Sequence, residues 1–260
     1  MTIKLILGDC LEEMQKISDE SIDLIITSTP YDNQRNYESD VNLHCVGEEF
    51  SRILSNGGVC VLVIQDQTVN WRKSLTSFRT IIDWCDNTEL GLFECCIYKR
   101  SGVPGAWWTK RFRVDHEYIP IFVKGRKPRY FNKDHMKIPS QQAGFKKKGK
   151  ERKRDGTFTD YEYNKSRYPK LKCPGTILDY ESARASDKSN KLKVKHPAWF
   201  PDKLAEDFIL CFSDVGDTVL DPFMGSGTTG VGCKKLGRNF IGIDVSEEYC
   251  KISQERIYDH

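Results

Sequence analysis

The stretch best equipped for chemistry runs Val219-Leu-Asp-Pro-Phe-Met-Gly-Ser-Gly-Thr-Thr-Gly230. An apolar strand enters a glycine turn and a helix follows. Gly225 and Gly227 carry no side chain, so a ligand can lie against the backbone near the positive helix N-terminus. Asp221, at the carboxyl end of the strand, is placed to receive an ammonium group. About twenty residues on, Ile241-Gly-Ile-Asp-Val245 ends a second strand with an acid. Asp244 there is placed to accept hydrogen bonds from ribose hydroxyls. Taken alone, such a turn also fits a plain tight turn, a dinucleotide or a phosphate. The Walker pattern is excluded, because no Gly-Lys-Ser/Thr follows.

A second stretch, Ile26-Thr-Ser-Thr-Pro-Tyr31, closes another apolar strand. It resembles the Asp/Asn/Ser-Pro-Pro-Tyr tetrapeptide of the amino-methylating DNA methyltransferases, the N4-cytosine/N6-adenine family. Asp221-Pro-Phe-Met-Gly-Ser-Gly-Thr-Thr229 resembles their cofactor motif, and His196-Pro-Ala-Trp-Phe-Pro201 the segment that lines the cofactor pocket. Gly8-Asp-Cys10 is similar to a further cofactor-contacting segment, and Val114-Asp-His-Glu-Tyr118 to a strand near the target base. Tetrapeptide first, basic variable region next and cofactor motif last is the permuted order of the beta class. The resemblance covers nearly the whole chain apart from residues 125–190. It implies S-adenosylmethionine as cofactor, held by Asp9, His196, Pro197, Phe200, Asp221, Pro222, Phe223, Gly225, Ser226, Gly227, Thr228, Thr229 and Asp244. Ser28, Thr29, Pro30 and Tyr31 become the catalytic residues.

The chemistry accounts for the tetrapeptide. An aromatic amine is a poor nucleophile because its lone pair is delocalised into the ring. Two acceptors aimed at its hydrogens favour a pyramidal nitrogen and stabilise the charge that develops on it. By the resemblance these are the Ser28 side chain and the Thr29 carbonyl. Tyr31 stacks on the base, which must be flipped out of the duplex. No covalent cysteine is needed, and no Pro-Cys dipeptide of the carbon-5 cytosine enzymes stands there. Thr29 departs from the usual proline: the carbonyl survives, but the ring that fixes φ is lost. Ser28 preceded by Thr27 favours cytosine N4 over adenine N6. A DNA-binding protein impaired by Thr29 is the alternative of another class. Methylation of RNA or of a protein glutamine is disfavoured, since those relatives carry Asn-Pro-Pro-Tyr after the cofactor motif.

These residues need a sheet to hold them. Hydrophobic periodicity predicts strands at Lys4–Leu7, Ile22–Thr27, Val59–Ile64, Phe93–Lys99, Glu117–Lys124, Thr218–Asp221 and Asn239–Asp244. Helices are expected around Leu11–Ile17, at Cys45–Leu54, where Gly57-Gly58 closes it, and at Ser74–Cys85. Others should follow Pro201 and cover Thr228–Leu236 and Glu247–Ile257. Alternating strands and helices give an α/β class. The expected fold is Rossmann-like, a mostly parallel sheet with helices on both faces. Residues 1–124 and 196–260 form the catalytic domain. Residues 125–195, where periodicity fades, form a small insertion outside the sheet.

That insertion concentrates the charge. The whole chain carries 40 Lys and Arg against 37 Asp and Glu, yet Lys146, Lys147, Lys148, Lys150, Arg152, Lys153 and Arg154 stand almost consecutively. With its tyrosines and phenylalanines, the segment suits double-stranded DNA and target recognition. His116-Glu117 suits either the target base or a strand edge, and Trp107-Trp108 either a DNA wedge or loop packing. The ten cysteines are scattered without a Cys-x-x-Cys pair, so no metal is expected. The longest apolar runs are strand-sized and the first residues lack a signal-peptide pattern. A cytoplasmic protein, prokaryotic or phage-encoded and without membrane contact, is expected. The resemblance leaves open a homodimer and a cognate restriction endonuclease.

Overall fold

The apolar runs become strands of one large sheet, because Val-, Ile- and Leu-rich segments of this length can be buried on both faces. The computed structural model describes residues 1–29, 41–101, 110–112, 114–141, 143, 147–163, 169–181 and 200–259. We number the sheet's eight strands in chain order: β1 (Ile3–Leu7), β2 (Ile22–Ser28), β3 (Leu54–Val63), β4 (Leu90–Ser101), β5 (His116–Lys124), β6 (Ile177–Glu181), β7 (Thr218–Asp221) and β8 (Asn239–Asp244). Their spatial order is β1-β8-β7-β2-β3-β5-β4-β6. The first five in that order are mutually parallel; β5 is antiparallel to both neighbours, and β6 is parallel to β4. The sheet is therefore mainly parallel, with β5 alone reversed.

Six helices accompany these strands: α1 (Cys10–Met14), α2 (Leu43–Ile53), α3 (Thr76–Asn87), α4 (Asp202–Phe212), α5 (Thr228–Leu236) and α6 (Glu247–Asp259). The first three pack on one another, as do the last three, giving the two helical layers of an α/β fold. Under the first layer, Cys60 and Leu62 of β3 meet Phe50 of α2 and Trp84 of α3 in one buried cluster. Trp84 lies 5.5 Å from Phe50 and 5.0 Å from Phe122, ring centre to ring centre. Among the described residues no helix is long and apolar enough to cross a membrane.

Two expectations need correction. Gly57-Gly58 does not close α2: the chain turns extended at Leu54 and enters β3 directly. The glycines lie in an irregularity of the β2–β3 pairing, where Ile22 faces Leu54 but Leu24 faces Val59. Gly57 adopts φ +79°, and a Cβ there would stand 2.8 Å from the Arg129 amide, which donates to the Gly57 carbonyl. Its role is a bulge and a close approach, not a helix stop.

The second correction concerns the insertion. The separate compact unit spans Lys133–Gly175, narrower than 125–195, because Ile177–Glu181 joins the main sheet as β6 beside β4. Tyr180, buried on β6, donates to the Asp207 carboxylate of α4 at 3.0 Å. An isolated tyrosine in a basic context gave no periodicity from which to read this strand. Within Lys133–Gly175 the main element is a hairpin pairing Lys147–Arg152 with Phe158–Tyr163.

Candidate active site

Thr27 stands at the carboxyl end of β2 and Asp221 at that of β7, and the two strands are neighbours. The Thr27 hydroxyl donates to Asp221 Oδ1 at 2.7 Å, and the Thr229 hydroxyl to Oδ2 at 2.7 Å. The Phe223 amide adds a third donor at 3.2 Å. Residues 194 apart in sequence thus tie the Ser28-Thr29 end of β2 to the Asp221–Gly227 turn. Asp221 is 2% exposed. Burial pushes its carboxyl up to about 6, against the three hydrogen bonds that pull it down; the Asp244 charge pushes the same way as burial. Asp221 therefore braces the site from inside. Its oxygens face the hydroxyls of Thr27 and Thr229, so the expected role of open ammonium acceptor is corrected.

Asp244 ends β8, and its carboxylate spans the glycine turn. Oδ2 accepts from the Gly225 amide at 2.9 Å and Oδ1 from the Ser246 amide at 2.8 Å. Burial raises its pKa and these two bonds lower it. The side chain is half-buried, and each carboxylate oxygen has a second lone pair to offer. Asp9 follows β1, which pairs with β8, and caps α1 by accepting from the Leu11 and Glu12 amides. The Gly8 amide donates to the Asp244 carbonyl at 3.0 Å, so both acids stand on the same edge of the sheet.

The turn is also held from behind by α6. Gly225 and Gly227 have φ +49° and +76°, the left-handed region that favours glycine. A Cβ on Gly227 would lie 2.9 Å from Ser253 Cβ, so the missing side chain makes room for α6. Ser253 donates to the Gly225 carbonyl at 2.9 Å. Arg256, buried one helical turn on, donates to the Ser226 carbonyl, to Ser226 Oγ at 2.8 Å and to Thr228 Oγ1 at 3.4 Å, and faces Asp202 at 3.4 Å. Sequence reasoning missed Ser253, Arg256 and Ser246, because a polar residue on an amphipathic helix reads as surface. Thr27 carried a signal in its position directly before Ser28.

The other expected residues fall as follows. Ser28 is half-buried at the end of β2; Thr29 is 2% exposed, and its hydroxyl is buried without a hydrogen-bond partner. Pro222, Ser226, Thr228 and Thr229 are buried in the turn and the start of α5, Phe223 is half-buried, and Phe200 is buried just before α4. Pro30, Tyr31, His196, Pro197, Lys146 and Trp107-Trp108 lie outside the described residues. Lys148, Lys150, Arg152, Lys153 and Arg154 are exposed on the hairpin of the separate unit, whose first strand begins at Lys147. His116 opens β5, and Glu117, 8% exposed, pairs with Arg100 at 3.0 Å, a structural role for that acid.

Strands that end together, a braced glycine turn and an acid at the next strand end make up a cofactor site of the Rossmann type. The family described as DNA methylase matches residues 22–255. The chain belongs to the N6/N4 DNA methylase family. The orphan methyltransferase M.BamHII of Bacillus amyloliquefaciens is 34% identical over 250 residues, covering 95% of this chain and 92% of its own. The DNA adenine methyltransferase YhdJ of Escherichia coli (strain K12) is 30% identical over 267 residues, covering 96% and 81%. Among solved structures, the PvuII DNA methyltransferase (cytosine-N4-specific) superposes with a TM-score of 0.75 at 21% identity, over 98% of this chain and 86% of that one; at this identity the likeness speaks for the fold. The DNA modification methylase TTHA0409 of Thermus thermophilus, complexed with S-adenosyl-L-methionine, superposes with a TM-score of 0.64 at 25% identity, over 99% and 94%.

This DNA methylase is thus an S-adenosylmethionine-dependent enzyme acting on DNA amino groups. Its residues fit that cofactor. Asp244, half-exposed beside the turn, retains the lone pairs that ribose hydroxyls need, and the turn that carries Asp221–Gly227 is fixed before any ligand arrives.

Proposed function

We propose that the enzyme methylates cytosine N4 at specific sites in double-stranded DNA. Bound S-adenosylmethionine supplies an electrophilic sulfonium methyl. The chain's own residues bind and orient. Asp244 accepts from the ribose, while Asp221, through Thr27 and Thr229, keeps the cofactor turn against the end of β2. Asp9, Phe200, the Pro222–Thr229 turn and, by family resemblance, His196 and Pro197 surround the cofactor. Ser28 and the Thr29 carbonyl accept from the target amine, drawing its lone pair out of the ring; Tyr31, after Pro30, stacks on the base. The observation that carries this reading is the Thr27–Asp221 hydrogen bond, which unites the two motifs at one edge of the sheet.

Cytosine is favoured by Ser28 and by Thr27 before it. The second reading, adenine N6, is favoured by the name of a relative 30% identical, an adenine methyltransferase. Digesting DNA modified by the purified enzyme and identifying the nucleoside by mass spectrometry decides between them: N4-methylcytosine supports the proposal and N6-methyladenine overturns it. Thr29 bears on rate. Proline at 29 would remove the unpartnered hydroxyl and fix φ, so Thr29→Pro raising kcat would mark the natural site as a slowed one. The Lys133–Gly175 unit, with Lys148, Lys150, Arg152, Lys153 and Arg154, is assigned to target recognition. Self-association as a homodimer and pairing with a cognate endonuclease are compatible with this role, and analytical ultracentrifugation tests the first.

A further inference from the structure

β3 does not end in a plain loop. Ser28 of β2 is in register with Val63 of β3, so the chain beyond Val63 leaves the sheet at the edge where the amine acceptors stand. Ile64 bridges to Tyr118, Gln65 donates to the His116 carbonyl at 2.8 Å, and a short hairpin follows, pairing Thr68 with Lys73 and Val69 with Arg72. At its tip Asn70 and Trp71 have φ +49° and +66°. Two consecutive left-handed residues make a type I′ turn, whose preferred sequence is Asn-Gly. A tryptophan at the glycine position costs about 1–2 kcal/mol of backbone strain, and the surroundings hold it there. Arg111 Nη1 donates to the Trp71 carbonyl at 2.9 Å, Lys73 Nζ to the Asp66 carbonyl at 3.2 Å, and Ser74 N to the Gln67 carbonyl at 3.1 Å. Asp66 is itself buried and fixed by the Ser77 amide at 2.8 Å.

The residue kept in this strained place is 62% exposed, and Val69 beside it is 53% exposed. Core packing therefore does not explain the indole. The charges around it share one sign: Arg72 and Lys110 are exposed, Lys73 and Arg111 half-buried, and residues 67–73 contain no carboxylate. We propose that the Thr68–Lys73 hairpin is a DNA-contacting element of the catalytic edge, with Trp71 stacked on a nucleobase and Arg72 and Lys110 on flanking phosphates. Eight residues of chain separate Val63 from Trp71, so the tip lies within ~30 Å of the level of Ser28 even if fully extended. That is inside the stretch of duplex, about nine base pairs at ~3.4 Å each, on either side of a flipped base. Extruding a base opens the stack, and an aromatic face fits the gap or the bases bordering it.

The test uses the full chain and binding alone, so that it does not depend on which base is methylated. Trp71→Gly removes the indole and installs the preferred turn residue, so the fold is expected to be kept and the melting temperature to hold or rise. Trp71→Phe keeps a stacking face. Affinity for a fluorescein-labelled random-sequence 30-base-pair duplex is read by anisotropy, and subunit association by sedimentation velocity. The expected result is a Kd about tenfold weaker for Trp71→Gly, the scale of losing one stacked base, with most of it regained in Trp71→Phe and sedimentation unchanged. An unchanged Kd in Trp71→Gly, or a Trp71→Phe as weak as Trp71→Gly, overturns the proposal. So does a loss of affinity accompanied by a change in sedimentation, which would assign the surface to a second copy of the chain.

Discussion

Asp221 joins two strand ends through its two oxygens, and it does so without solvent. Burial raises its folded-state pKa to about 6 from an ordinary value near 3.8. For an acid shifted upward, the folded state holds the proton that the unfolded chain releases. Its contribution to stability is therefore complete below the unfolded value and is lost as pH rises through the folded one. Asp221→Asn cannot ionise, so its melting temperature relative to the wild type should climb from pH 4 to pH 6 and level off above. A difference independent of pH, measured by calorimetry, would show that the carboxylate is not strained by burial. Thr29 presents the opposite case, a buried hydroxyl without a partner. Valine has nearly its shape, and an unsatisfied buried hydroxyl costs about 1–3 kcal/mol. Thr29→Val should raise stability by about 1 kcal/mol in urea unfolding while leaving the carbonyl in place.

Among elements, α6 works at a distance from its own sequence neighbourhood. Ser253→Ala deletes a bond to the Gly225 carbonyl worth about 1 kcal/mol. If that bond sets the turn for the cofactor, the KM for S-adenosylmethionine should rise several-fold while the KM for DNA stays put; equal shifts in both would reduce Ser253 to a packing residue. This dependence was not legible in the sequence, because a hydrogen bond 28 residues away leaves no periodic mark. Thr218–Asp221, Thr228–Leu236 and Asn239–Asp244 were legible to the residue, since each apolar run ends at a turn signal of its own. β6 was not: Ile177-Leu-Asp-Tyr-Glu181 has the length of an edge strand but sits in a charged context that reads as loop. Nor could Gly57-Gly58 be distinguished from a helix stop before its pairing across β2 was known.

At the scale of the molecule, the basic run looks different once folded. The hairpin sets Lys148 opposite Glu162 and Lys150 opposite Asp160, and Lys148 Nζ lies 3.4 Å from Glu162. Residues 147–163 carry six cations against four carboxylates, so part of the run's charge is already offset. Removing one cation from a phosphate lowers the slope of log affinity against log salt by about 0.9. Changing Lys153 and Arg154, next to the hairpin turn, to Gln should lower that slope by about 2 in a salt titration. Lys148→Gln should lower it by less than a single phosphate's share, and a full decrement there would mean that Glu162 releases Lys148 to DNA. The sheet order has its own consequence. β1 and β8, drawn from opposite ends of the described chain, lie side by side, with the Phe240 amide donating to the Thr2 carbonyl at 2.9 Å. A chain closed by a short linker between these neighbours and reopened inside Lys133–Gly175 would keep every pairing of the sheet. Which motif comes first is then a matter of where a nearly closed loop is cut, and the reacting groups meet in the same place either way.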